Sequence, residues 1–78
     1  MTREEANQIR LKILYYGSKK TLERLTFDAR NDYFQAREIS RSVWNEIVDE
    51  PKGYELTDAQ AEDMDLAQKF AERAGLVT

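Results

Sequence analysis

The chain has 78 residues, 41% hydrophobic and 35% charged, which is enough apolar material for one small domain and argues against disorder or a membrane-crossing segment. It holds no Cys and no His, so disulfides, thiol or imidazole catalysis, the usual triads and the common zinc ligand sets are excluded. Net charge is −3 but unevenly placed: residues 1–41 carry nine basic against six acidic side chains, residues 42–78 three against nine.

The first expected helix opens at Thr2, where Thr2 and Glu5 have capping-box spacing and Glu4 and Glu5 occupy the favourable first turn. Ala6, Ile9, Ile13 and Tyr16 form one face; Leu11, Leu14 and Tyr15 form another, nearly opposite. Gly17 is a natural stop and Ser18 a natural cap for the next element.

A long central helix is expected over about residues 19–49, ahead of Pro51. Leu22, Leu25, Ala29, Tyr33, Ala36, Val43 and Ile47 stay in helical phase within one third of the circumference, flanked by Ile39 and Trp44. The weak helix formers between Asp28 and Asp32 are its softest stretch. Unbroken phase, with no Gly or Pro, still predicts a single helix from Leu22 to Ile47. Residues 50–55 read as a loop. A last helix follows, capped by Thr57 with Gln60 in the reciprocal position and Leu56 and Ala61 placed as a staple. Met64, Ala67, Ala71 and Ala74, widened by Phe70, give it a stripe of mostly small residues that favours close packing. Gly75 and Leu76 fit a Schellman stop. The fold class is therefore all-α: a small helical bundle, one domain over residues 1–78, organised on a long central helix with flanking N- and C-terminal helices.

Three groups of side chains merit a functional reading. Phe27 and Phe34, one heptad apart and opposite the main stripe, share a face with Glu23, Arg30, Glu38 and Arg41. Covered by another helix they would be core; exposed and rimmed by charge they have the make-up of a protein-binding hot spot, which Trp44 could extend. Asp58, Glu62 and Asp65 fall on one side of the last helix, an acidic surface suited to a basic partner and lacking the loop that a calcium site requires. Arg10, Lys12, Lys19, Lys20 and Arg24 gather around the first turn, as in a helix-turn-helix protein contacting phosphates. The acidic pI of about 4.9 opposes that use.

These features predict a small non-enzymatic regulatory or adaptor protein that binds another protein, with no cofactor and no metal. In its sharper form it is an acidic inhibitor of a nucleic-acid-binding target. The binding residues would be Phe27, Phe34, Arg30, Arg41, Trp44, Glu62 and Asp65. The alternative is a DNA-binding regulator using the basic first turn. Two greasy sides on a long helix also predict a homodimer. The polar, mixed-charge start from Met1 to Glu5 is unlike a secretory signal, so a cytoplasmic location is expected. In general type the chain resembles the small, Cys-free helical accessory proteins of bacteria and their phages, without residue-level correspondence.

Overall fold

A computed structural model describes residues 1–16 and 19–75, and the side chains of these except 16 and 19–21. Four helices follow in order: α1 (Arg3–Tyr16), α2 (Lys19–Arg24), α3 (Phe27–Ile47) and α4 (Asp58–Arg73). The protein is a small all-α bundle organised on α3, against which α1 and α4 pack. Both run antiparallel to it. Ala6 and Met64, near the starts of α1 and α4, meet Val43 and Ile47 near the end of α3. Ile13 and Ala71, further along, meet Tyr33 and Ala36.

One expectation is corrected. Leu22 to Ile47 is not a continuous helix: α2 ends at Arg24, and α3 starts afresh after Thr26. The break lies just before the Asp28–Asp32 stretch. Thr26 adopts extended dihedrals (φ −65°, ψ 168°), and its hydroxyl accepts a bond from the Ala29 N–H at 3.2 Å, satisfying a donor at the new helix start. Asp28 then sits in the first turn, where the helix dipole favours a carboxylate. Arg30 Nε donates to the Leu22 carbonyl at 2.9 Å, tying the end of α2 across the break. The apolar phase survives because Leu22, Leu25 and Ala29 still pack on the same core cluster. Continuity of phase did not guarantee continuity of helix. Leu25, placed in the stripe, is only half-buried as a result.

Both capping boxes form. Thr2 accepts from the Glu5 N–H while Glu5 accepts from the Thr2 N–H, and Thr57 and Gln60 repeat the arrangement at α4. Gly75 has φ +77° and its N–H bonds the Glu72 carbonyl at 2.9 Å, one bond of a Schellman stop. The expected stop at Gly17, cap at Ser18 and contact of Leu76, like the Tyr16 side chain placed on the buried face, lie outside the described residues. A feature with no clear sequence signal is the tie between the N-terminus and the 54–56 loop. Arg3 N–H donates to the Tyr54 carbonyl and Leu56 N–H to the Met1 carbonyl, with an antiparallel bridge between Thr2 and Glu55. Arg3 also donates to the Val48 carbonyl at the C-cap of α3. It supplies the cation that the last turn of α3 lacks.

The core has two clusters, both touched by Ile9. Tyr33, Ala36, Ser40, Val43 and Ile47 are the buried stripe of α3. Ala36, Ala67 and Ala71 are fully buried in one cluster, so the small stripe of α4 does close on α3. No helix among the described residues is long and apolar enough to cross a membrane.

Candidate functional site

The outer side of α3 carries the large side chains least used by the fold, Arg30 with its bond to the Leu22 carbonyl being the exception. At about 100° per residue, Trp44, Arg37, Arg30, Arg41, Phe34 and Phe27 occupy roughly 100° of its circumference, from Trp44 at the edge of the buried stripe round to Phe27 in solvent. Along the helix the order is Phe27, Arg30, Phe34, Arg37, Arg41, Trp44, rings interspersed with guanidiniums. Phe27 is 85% exposed and Phe34 47%, so among the described residues no helix covers them. Phe34 lies against Tyr33 in a tilted pair, with ring centroids 5.5 Å apart and 55° between the planes. Phe27, Arg30, Asn31 and Phe34 line one shallow depression.

Next to it, α1 and α3 frame a groove lined by Arg10, Leu14, Arg37, Ser40, Arg41 and Trp44. Its volume of about 100 Å³ is well below the roughly 300–1,000 Å³ of small-molecule pockets, so it accommodates a side chain rather than a cofactor. Trp44 forms the half-buried floor, packed in the core on one side. The Arg3 and Arg10 guanidiniums lie 4.8 and 4.4 Å from its ring centroid. Arg10 is held there by two bonds to Asn7 Oδ1, at 2.9 and 3.3 Å. Leu14 stays 42% exposed at the rim and Leu11 43% further round α1.

The groove is unneutralised. Among the described residues neither Arg10 nor Arg37 has an ion pair, and Arg41 has one loose, exposed contact with Glu38 at 3.9 Å. Such a surface pair is worth little.

Of the residues expected to bind protein, Phe27, Arg30, Phe34, Arg41 and Trp44 are thus brought onto one side of α3. Glu62 and Asp65 are not. They lie exposed on α4, which packs on the buried stripe of α3. Asp58, Glu62 and Asp65 make no grouping able to hold a metal among the described residues. The basic set is dispersed as well. Arg10 faces Trp44, whereas Lys12 lines a small cleft beside Gln68 of α4, and Arg24 is exposed at the end of α2. The Lys19 and Lys20 side chains lie outside the described residues. Sequence reasoning passed over Arg37 and Leu14. The signal for Arg37 was present, because it stands a heptad after Arg30 and a heptad before Trp44.

Compared with family models, curated proteins and solved structures, the chain matches none.

Proposed function

We propose that this is a small non-enzymatic adaptor or regulator that binds another protein through the outer α1–α3 face. The observation that carries the reading is Phe27 and Phe34, exposed together in a row of arginines beside Leu14 and Trp44. Leaving a phenylalanine in water forgoes about 1.5–3 kcal/mol of burial, and a contiguous aromatic and arginine surface is what protein interfaces concentrate at their energetic centres. The acidic side of α4 supports the narrower idea of an inhibitor occupying a basic surface less well. Asp58, Glu62 and Asp65 are spread along exposed helix, with Leu66 as the large apolar side chain beside them.

A homodimer through the α1–α3 face is also less well supported, since a two-fold axis brings two copies of the same arginine-rich patch together. DNA binding is the weaker alternative, with its basic residues dispersed and the net charge negative.

The test is photocrosslinking in extract of the source cells, with a photoreactive phenylalanine analogue at position 34 or, as control, at position 62. The proposal predicts a discrete protein adduct from position 34 that Phe27→Ser abolishes. Adducts of equal yield from both positions, or crosslinks to nucleic acid alone, would refute it.

A further inference from the structure

We infer that the partner presents an acidic amphipathic helix that lies along the α1–α3 groove as an added member of the bundle. This rests on the protein-binding reading above and names the chemistry of the occupant. Charge selects it. Arg10 and Arg37 lack ion pairs among the described residues and Arg41 has only the loose contact with Glu38, although the chain has more carboxylates than cations. Guanidiniums left together at a groove are matched by carboxylates from outside, with the planar fork suited to them.

Shape selects a helix. The groove runs between two antiparallel helices, and such a seam is filled in bundles by another helix whose apolar row enters it. From Phe27 to Trp44 the face extends about 26 Å at 1.5 Å per residue, the length of a helix of about 17 residues. The rings and arginines interspersed along α3 call for apolar and acidic positions mixed at i, i+3, i+4 and i+7 on the partner. Leu14 at the rim favours aliphatic anchors over stacked bases, since a leucine offers no ring on which a base can stack. A second copy docking the same face across a two-fold axis brings another arginine-rich patch to the groove.

The experiment displays random peptides of about 18 residues, selects binders to the full chain and measures the selected peptides by fluorescence anisotropy. The inference predicts pools enriched in Asp and Glu interleaved with Leu, Ile or Phe at helical spacing. It predicts binding weakened about tenfold or more by Arg37→Glu/Arg41→Glu, and recovered by that variant when the peptide's acids become lysines. Arg37→Gln/Arg41→Gln, checked by circular dichroism, removes the same charges if the reversal misfolds, and should also weaken binding. Peptides without acidic excess that depend on Phe27 and Phe34 but ignore both arginine pairs would overturn the acidic helix and leave the protein-binding reading standing. Peptides indifferent to the phenylalanines and the arginines would overturn both. A labelled oligothymidylate of about 18 nucleotides that binds more tightly than the selected peptides, and is lost with Arg37→Gln/Arg41→Gln, would replace the helix with single-stranded nucleic acid.

Discussion

The two sides of α3 are built on opposite plans. Toward α4 it presents Ala36, Val43 and Ile47, buried among Met64, Ala67 and Ala71. There the packing is close and apolar, and Ser40, buried where the stripe borders the α1–α3 groove, donates its hydroxyl to the Arg37 carbonyl at 3.1 Å. Toward solvent α3 presents larger rings and long cations, and α1 covers only the edge at Trp44. A chain this small has little core to spare. Leaving Phe27 and Phe34 outside while sealing with alanines separates what holds the fold from what is free to act.

The sharpest way to break this contrast is to cut the sealed side. Ile47→Ala should cost about 2–5 kcal/mol in urea unfolding, because the residue is fully buried and few neighbours can collapse into the space. A loss under about 0.5 kcal/mol would mean the stripe is not the stabilising side. Overfilling should also show. Ala71→Leu places extra methylenes between α4 and α3 and should cost about 1–3 kcal/mol by the same measurement, whereas no loss would indicate a looser seam. The helix start comes next. Thr26→Ala removes the hydroxyl that accepts from Ala29, with an expected cost of about 1 kcal/mol. Backbone chemical shifts of the parent should be non-helical at Leu25 and Thr26, and helical values through both would restore a single long helix.

What was legible in the sequence follows from where each signal lives. Capping boxes and the glycine stop are local, so Thr2/Glu5, Thr57/Gln60 and Gly75 could be read directly. The buried stripe of α3 and the small stripe of α4 were legible because periodicity reports a face whatever lies opposite. The break at Thr26 was not, because hydroxyl capping competes with helix continuation on narrow terms, and apolar phase is blind to a short interruption. Phe27 and Phe34 could be placed on one face, but their exposure depends on where α1 and α4 dock. Arg10 beside Trp44, Arg37 and Arg41 is likewise a product of tertiary packing. The backbone bonds between Met1–Arg3 and Tyr54–Leu56 join segments some fifty residues apart, which no local pattern announces.

The smallest predicted effect is the most decisive. Urea unfolding of Phe27→Ser/Phe34→Ser, measured beside Ile47→Ala, asks whether the outer face of α3 is spared from holding the fold. The double variant should stay within about 1 kcal/mol of the parent, since Phe27 stands in solvent and Phe34, resting on Tyr33, is half-exposed. A loss comparable to that of Ile47→Ala would contradict the account, by showing that the phenylalanines are part of what holds the protein together.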